Sequence, residues 1–235
     1  LVGLLQGDVA ANADTERDFL RVCGLRAVAA RIRLMVLDPE LRSAVGGIRD
    51  VQAPLSDLRS VPWAPGTTLF VENLVCAHSL PDLQSTVAVV GLGRAVSLAA
   101  ELPWVHRSRQ LYWGDIDTDG LEILSLARAL FPDLRSILMD SRTLHRYRQR
   151  WVPEGVANGQ ADRARLLPDE RALYEALLAN KWEGWNSDRG VRLEQERLDW
   201  PHVDEELRLA VGKSPLPLSA PAVVSLQSSG CDPSG

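Results

Sequence analysis

The chain contains few of the residues from which disulfides and zinc sites are built. Its 235 residues include only three cysteines and four histidines. Cys23, Cys76 and Cys231 are far apart, and no C-x-x-C pair or His/Cys spacing typical of zinc occurs. This pattern predicts reduced thiols in a cytoplasmic protein rather than a disulfide or zinc framework.

Long apolar segments are also missing. No apolar run approaches the roughly 18 residues that span a bilayer, so we expect no membrane partner. The N-terminus has an apolar stub without the basic region of a signal peptide. Because the chain starts with Leu1 rather than Met, we expect it to be a piece of a longer protein.

Lysine is almost absent, and the charge balance is acidic. Only Lys181 and Lys213 occur, although Lys and Arg together number 26. With 31 acidic residues the formal net charge is −5, which argues against nucleic-acid binding by the chain as a whole. A net charge does not exclude a local track of arginines, because binding depends on where the charges lie.

The middle of the chain alternates between strand and helix patterns. This alternation is typical of βαβ units and predicts an α/β, Rossmann-like fold with a mostly parallel central sheet flanked by helices. Strands are predicted at residues 67–73, 85–91, 109–115 and 135–140, and helices at 74–79, 93–102 and 119–131 and from an N-cap at Ser141.

We divide the chain into four parts. Residues 1–65 form an N-terminal connecting region of helices around one strand at 30–38, and residues 66–150 form the α/β core. Residues 151–212 are a C-terminal extension of that core. Residues 213–235 are rich in proline and serine and are predicted to be a flexible tail.

Three aspartates at alternate positions, Asp115, Asp117 and Asp119, follow the third predicted strand of the core. Glu72 lies at the end of the first one. In an open parallel sheet, functional groups gather at the carboxyl ends of the strands. Carboxylates held close together repel one another, and a divalent cation removes that penalty. The pattern therefore indicates a site for Mg²⁺, or for Mn²⁺ in its place.

The aspartates also fit other kinds of site. A single aspartate here is explained as a helix N-cap. The D-x-D-x-D-G pattern also opens a calcium-binding EF-hand loop, but the twelfth position is Leu126 rather than glutamate. Asp115 could also be a nucleophile, as in haloacid-dehalogenase phosphatases, and this interpretation stays open. Those enzymes need an amine-bearing residue downstream, whereas the two lysines of this chain, Lys181 and Lys213, lie in a linker and in the tail.

Four arginines are candidate DNA-binding residues. Arg142, Arg146 and Arg150 have helical spacing and suit contacts with phosphates, which do not read sequence. Arg94 follows a strand and a glycine-containing turn, where backbone can approach a phosphate at a helix start. The alternative for the first three is a solvated helix face paired with nearby acids.

An acidic segment at residues 191–198 adds two candidate metal ligands. Glu194 and Glu196 lie two positions apart and suit the outer ligands of a second metal ion. The alternative is a solvated edge.

Six blocks of the sequence carry a resemblance to a known family. In order they are FVENLVCAHSLPDL, VVGLGRAVSLAAELPW, LYWGDIDTDGLEIL, RSILMD, PDERALYEALL and VRLEQERL. Over about residues 25–205 the chain resembles the C-terminal domain of JetD proteins. These are the Toprim nuclease subunits of bacterial Wadjet anti-plasmid systems and are related to topoisomerase VI A subunits.

The resemblance implies a Toprim fold for the core and Mg²⁺-dependent endonuclease activity on plasmid DNA. Glu72 resembles the Toprim glutamate, a general acid/base or metal ligand, and Asp115 and Asp117 resemble the magnesium-binding pair. These three are the candidate catalytic residues. Asp119 stands where the family usually has a histidine, so a proton-transfer or phosphate-contact role of that histidine is in doubt for this chain. Asp119 is itself a further candidate metal ligand.

The resemblance also implies partners. These are double-stranded plasmid DNA, condensin-like Wadjet subunits and a second copy of the chain in a homodimer. Two other functions stay open. One is a non-catalytic assembly module of the same complex, in which the acidic cluster is structural. The other is a Rossmann-like phosphohydrolase acting on small phosphate esters.

Overall fold

The computed structural model describes residue 20, residues 23–26 and residues 28–212. The predicted tail at residues 213–235 and most of the first 22 residues lie outside this part of the chain. Cys23 and Cys76 are both free thiols. In the described part, no helix combines the length and apolar character needed to cross a membrane.

A six-stranded sheet forms the centre of the molecule. Its strands are β1 (Arg31–Val36), β2 (Asp50–Pro54), β3 (Thr67–Val71), β4 (Thr86–Val90), β5 (Arg109–Trp113) and β6 (Arg135–Ser136). They lie in the order β2-β1-β4-β3-β5-β6. β3 runs parallel to β4 and to β5, and β5 runs parallel to β6. β1 is antiparallel to both β2 and β4.

Helices flank this sheet, and a second, two-stranded sheet follows it. The helices are α1 (Leu55–Ser60), α2 (Leu74–Ser79), α3 (Pro103–His106), α4 (Thr118–Leu130), α5 (Ser141–Arg146), α6 (Pro168–Ala179) and α7 (Trp200–Gly212). The small antiparallel sheet pairs β7 (Val152–Pro153) with β8 (Val191–Arg192). The architecture is a Rossmann-like α/β fold with a mostly parallel central sheet, as the sequence predicted.

The core lies on both faces of the central strands. All five residues of β3 and all five of β4 are buried, as expected for parallel strands covered by helices on each side. Leu121 and Leu124 of α4 are fully buried against the sheet. Trp104 packs edge-on against Trp63, with ring centroids 5.5 Å apart.

The prediction of a single strand before residue 66 was wrong. Residues 50–54 form β2, an edge strand that pairs with β1, and both belong to the same sheet as β3 to β6. β2 reads DVQAP and is only half-buried, so it lacks the apolar alternation of a core strand. An edge strand tolerates Pro54 because one side of it needs no ladder hydrogen bonds.

Two other elements are shorter or tighter than predicted. The fourth core strand was expected over residues 135–140, but β6 covers two residues, and Leu138 has a positive φ of 58°. The helix predicted at residues 93–102 is a 3-10 helix at Gly93–Glu101, with a kink at Ala95. Tertiary packing sets both geometries rather than local preference.

The helix expected to start with Ser141 as its N-cap is capped one residue earlier. Asp140 has an extended backbone, and its side chain accepts a hydrogen bond from the Thr143 N–H at 2.6 Å. An aspartate in this conformation is as good an N-cap as serine, so local sequence alone does not distinguish the two.

The same helix ends earlier than the sequence predicted. α5 stops at Arg146, Tyr147 has non-helical dihedral angles, and a separate 3-10 helix spans Arg148–Arg150. The prediction that Arg142, Arg146 and Arg150 share one continuous helix face was therefore wrong.

A buried ion pair joins α4 to α6. The Arg128 guanidinium donates to the two Glu170 carboxylate oxygens at 2.6 and 2.9 Å, and both residues are buried. Glu170 also accepts from the Ser136 hydroxyl at 2.6 Å and from the Leu167 N–H at 2.8 Å. Burial raises the pKa of Glu170, but these hydrogen bonds and Arg128 together bring that pKa below its ordinary value.

Arg128→Ala should lower the free energy of unfolding by about 3 to 5 kcal/mol, because the Glu170 carboxylate is left buried without its partner. Denaturant unfolding followed by circular dichroism measures this. The matched control is Arg163→Ala, which breaks an exposed pair with Glu175 and should change the free energy of unfolding far less, because water screens exposed ion pairs. Equal costs for the two variants would contradict the role given to the buried pair.

Candidate functional site

Four of the predicted acids line one cavity at the carboxyl ends of β3 and β5. They are Glu72, Asp115, Asp117 and Asp119. Glu72 directly follows β3, and its N–H donates to the Trp113 carbonyl at 3.2 Å, which places the two strand ends side by side. Asp115 comes two residues after β5, and Asp117 is the N-cap of α4. The structure thus brings these four together, and their roles stay predictions.

Two glycines allow the backbone to fold this closely. A Cβ at Gly114 would lie 2.8 Å from Glu72 Oε2 and 2.8 Å from the Tyr112 hydroxyl oxygen. A Cβ at Gly120 would overlap the carbonyl oxygen of Asp115. The first turn of α4 can pack against the end of β5 only because position 120 has no side chain.

The Glu72 carboxyl is mostly buried and lies close to other negative charges. Its Oε2 accepts a hydrogen bond from the Tyr112 hydroxyl at 3.1 Å. Burial, and then the negative charges of Asp115 and Asp117, raise the pKa of Glu72 to about 7. The Glu72 carboxyl therefore exchanges its proton near neutral pH.

Asp117 serves as a helix cap and also faces the cavity. Its Oδ1 accepts from the Gly120 N–H at 2.7 Å, and its Oδ2 lies 3.3 Å from Arg192 Nε. Burial raises the pKa of Asp117 to about 6; the Gly120 hydrogen bond opposes this shift, and the charge of Asp115 adds to it. The capping interpretation uses one carboxylate oxygen and leaves the other turned to the site.

Asp115 is buried and carries several hydrogen bonds. Its Oδ1 accepts from the Gln195 N–H at 2.8 Å. Its Oδ2 accepts from Arg192 Nη2 at 2.5 Å and from Arg192 Nε at 3.2 Å. Asp115 and Asp117 therefore share one guanidinium, which lines the same cavity.

Sequence reasoning missed Arg192, which comes from a distant part of the chain. It lies in β8, and an antiparallel bridge between Ile116 and Leu193 brings that strand to the aspartate segment. The bridge has reciprocal backbone hydrogen bonds of 2.9 and 3.0 Å. One arginine in an acidic segment gives no sign of this contact, which exists only once the two segments pair.

Glu154 is a second residue that sequence reasoning missed. It is 3% exposed and lines the cavity. Its Oε1 accepts from the Thr118 N–H at 2.8 Å and from the Thr118 hydroxyl, and its Oε2 has no hydrogen-bond partner among the described residues. Asn158 donates to the Thr118 hydroxyl oxygen at 2.6 Å, so the loop after Glu154 is tied to the start of α4.

Asp119 lies at the rim of the cavity rather than inside it. Its side chain is half-exposed and forms an ion pair with Arg94. It also accepts from Asn158 Nδ2 at 3.0 Å. Arg94 forms a second ion pair with Glu122. The candidate DNA-binding residue Arg94 is therefore engaged by two carboxylates of α4.

The structure does not place Glu194 and Glu196 in the cavity lining. Glu194 pairs with Arg197 at 2.6 Å, and Glu196 accepts from Asn73 Nδ2 at 2.8 Å. The residue between them, Gln195, is the one that faces the strand ends. Its side-chain oxygen accepts from the Asn73 N–H at 2.8 Å. Glu194 and Glu196 were predicted as ligands because they alternate along the chain, but the side chain directed towards the strand ends is the amide of Gln195.

The three arginines near α5 lie apart from the acids. Arg142 and Arg146 line a groove that also contains Glu206, with Arg142 Nη2 3.9 Å from a Glu206 carboxylate oxygen. Arg150 pairs with Asp199 at 2.6 Å. Arg142 and Arg146 stay together, whereas Arg150 is held by a different partner.

The donor set suits a hard divalent cation. Glu72, Asp115 and Asp117 offer carboxylate oxygens only, which are the ligands that Mg²⁺ prefers. The raised pKa values of Glu72 and Asp117 reflect burial and mutual repulsion that a cation relieves. Among the described residues, no three Asp, Glu, His or Cys side chains already surround a common metal position. The residues fit the ion chemically, and Arg192 lies between two of them.

Glu72→Gln should stabilise the metal-free protein at pH 8 by about 1 to 3 kcal/mol and should have little effect at pH 5. The folded-state pKa is raised from 4.5 to about 7, so stability falls as pH rises through that interval and the carboxyl ionises. Thermal unfolding at the two pH values measures the difference. Glu183→Gln, an exposed residue, is the control. A gain of equal size at both pH values would contradict the raised pKa.

Gly120→Ala should lower the free energy of unfolding by about 1 to 3 kcal/mol, because the added methyl group meets the Asp115 backbone. Gly159→Ala is the control, since a Cβ there meets nothing within 4 Å; its effect should lie within about 0.5 kcal/mol. Urea denaturation compares the two. An unaffected Gly120 variant would mean that α4 approaches β5 less closely.

Comparison with known families agrees with the resemblance seen in the sequence. The family model described as "Wadjet protein JetD, C-terminal" matches residues 24–207, well over half of the chain. A search of curated proteins found no match. The matched range contains the six-stranded sheet and every residue that lines the acidic cavity. The chain therefore belongs to the family of JetD C-terminal domains and has a role in a Wadjet anti-plasmid system.

Proposed function

We propose that the chain is a Toprim-type, Mg²⁺-dependent nuclease domain that hydrolyses plasmid DNA within a Wadjet complex. The single observation that carries this proposal is the convergence of Glu72, Asp115 and Asp117 in one cavity at the ends of two parallel strands. Membership of the JetD family supplies the biological setting.

In this proposal Asp115 and Asp117 would hold the divalent ion, and Glu72 would serve either as a third ligand or as the general acid/base. When bound, Mg²⁺ or Mn²⁺ supplies positive charge that polarises the scissile phosphate and stabilises the leaving oxygen. The residues around it orient these carboxylates: Gln195 fixes Asp115, and Gly120 fixes Asp117.

Glu72 is suited to move a proton during the reaction. A bound ion would lower the pKa of Glu72 below the value of about 7 that it has in the metal-free protein, so the carboxylate would be ionised at neutral pH and able to accept a proton from an attacking water. Tyr112 donates to Glu72 Oε2 and keeps the carboxyl at the end of β3. In this role Glu72 acts as a general base.

Water is the proposed nucleophile. A covalent mechanism needs an accessible tyrosine, but Tyr112, Tyr147 and Tyr174 are all buried. Their hydroxyl groups are engaged with Glu72, His202 and the Asn158 carbonyl respectively. These contacts keep the tyrosines of this chain from serving as the nucleophile.

Further parts of the proposal concern partners. Arg94, Arg142 and Arg146 are proposed to contact DNA phosphates, with Arg150 as a lesser contributor because it pairs with Asp199. Condensin-like subunits and a second copy of the chain are proposed as partners, with action in the cytoplasm. Each arginine has acidic neighbours, so we expect DNA affinity to depend on the whole complex.

One observation favours a second candidate function. Arg192 contacts both Asp115 and Asp117, so part of the negative charge of the acid cluster is compensated without a metal ion. A non-catalytic assembly module would use the same cluster as a structural ion-pair network. This alternative and nuclease activity make opposite predictions for DNA cleavage.

Asp115→Asn should reduce plasmid cleavage by the assembled complex by more than about 100-fold, since loss of a direct ligand exceeds the usual cost of losing a supporting residue. Conversion of supercoiled plasmid in the presence of Mg²⁺ or Mn²⁺ is the measurement. Asp133→Asn, an exposed aspartate, is the control and should cleave normally. Normal cleavage by the Asp115 variant would favour the assembly module, and turnover of small phosphate esters without DNA cleavage would favour the phosphohydrolase.

A further inference from the structure

Arg192 occupies the space between the two aspartates of the acidic cavity. Its Nη2 lies 2.5 Å from Asp115 Oδ2, and its Nε lies 3.3 Å from Asp117 Oδ2. Both aspartates are buried, whereas the Arg192 side chain is 37% exposed. A partly exposed arginine thus offsets part of the negative charge of two buried acids whose other oxygens each accept a backbone hydrogen bond.

These remaining oxygens are fixed by the backbone. Asp115 Oδ1 accepts from the Gln195 N–H, and Asp117 Oδ1 accepts from the Gly120 N–H. The Oδ2 atom of each aspartate is therefore the one left for a cation. A guanidinium and a divalent ion compete for these two oxygens, because their positive charges repel when both lie against the same pair of carboxylates.

The Arg192 side chain has room to move away from the two aspartates. It lies on the short β8 strand and lines the open cavity. Glu194 Oε1 lies 3.7 Å from Arg192 Nε and is less buried than Asp115 and Asp117. A rotation of the arginine side chain would give up its contacts with the two aspartates and strengthen the ion pair that it already makes with this glutamate.

We propose that Arg192 is an internal counter-ion that competes with the divalent cation for Asp115 and Asp117. In the metal-free protein it holds the two carboxylates together and keeps the site closed to the ion. Metal binding displaces its guanidinium towards Glu194 and the cavity opening. Arg192 thereby sets the metal concentration at which the site fills. This inference rests on the proposed function, since it concerns the same acidic site.

The test measures Mn²⁺ binding directly, without DNA. Electron paramagnetic resonance titration of the full chain with Mn²⁺ compares the wild type with Arg192→Gln. Removing the competing cation should tighten Mn²⁺ binding by about 10-fold, a coupling typical of linked sites. Asp115→Asn, which removes one ligand, should weaken it.

Arg33→Gln is the matched control. Arg33 forms a two-point ion pair with Asp50, with distances of 2.9 and 2.5 Å, between β1 and β2. The change removes the same charge and the same kind of pair, but away from the cavity. Mn²⁺ affinity should be unchanged in this variant.

Arg192→Lys is a second variant that keeps the test valid if Arg192→Gln does not fold. A lysine keeps the charge but lacks the planar fork that bridges two carboxylates, so its Mn²⁺ affinity should lie between those of the wild type and Arg192→Gln. The melting temperature gives a second readout. Without metal it should fall for Arg192→Gln, and saturating Mn²⁺ should raise it more in that variant than in the wild type.

The possible results separate the inference from the proposed function. Unchanged Mn²⁺ affinity in both Arg192 variants, with binding lost in Asp115→Asn, overturns the inference alone. Failure of every variant to bind Mn²⁺ overturns both. Tighter Mn²⁺ binding in Arg192→Gln supports the inference. If the complex assembled with the wild-type chain leaves plasmid DNA intact, the proposed function is overturned while the inference stands.

Discussion

Repulsion among buried carboxylates is the constraint on which the site depends. Three acids from two strand ends share a cavity in which burial and like charge push the pKa of Glu72 to about 7 and that of Asp117 to about 6. Such repulsion is relieved either by protonation of one of the acids or by a compensating cation. In the metal-free protein Arg192 supplies that charge, and a divalent ion is suited to replace it.

The fold supports this arrangement by limiting how the acids can move. β3 and β5 are neighbours, so Glu72 and Asp115 leave the sheet side by side. The absence of a side chain at Gly120 brings the start of α4 against β5, and Asp117 caps that helix. The β8 segment then covers the aspartates through its bridge to Ile116. Backbone contacts thus fix one oxygen of each aspartate and leave the other for a cation.

Ion pairs with acidic residues engage several of the arginines of this chain. Arg94 is engaged by Asp119 and Glu122, and Arg150 by Asp199. Arg128 is fully buried with Glu170 and joins two helices. Positive charge is therefore distributed as pairs rather than gathered in one track, so a DNA-binding surface depends on what the rest of the complex adds.

Local sequence was sufficient to predict the parallel core and the four acids at its edge. Buried strands have continuous apolar runs, and chain order places their ends on one side of the sheet. It was not sufficient for β2, whose half-buried DVQAP segment becomes a strand only by pairing with β1. The N-cap at Asp140 was missed for a similar reason, because two adjacent residues suit the same position.

The amino-acid sequence by itself determined the α/β class, the strand-end carboxylates and the family, since each depends on residues close together in the chain. Only the tertiary structure decided which charges meet. Arg192 reaches Asp115 across 77 positions, and Glu154 reaches Thr118 across 36. Gln195, rather than either neighbouring glutamate, faces the strand ends. Contacts over such separations leave no periodic signal, because they form only when distant segments pack together.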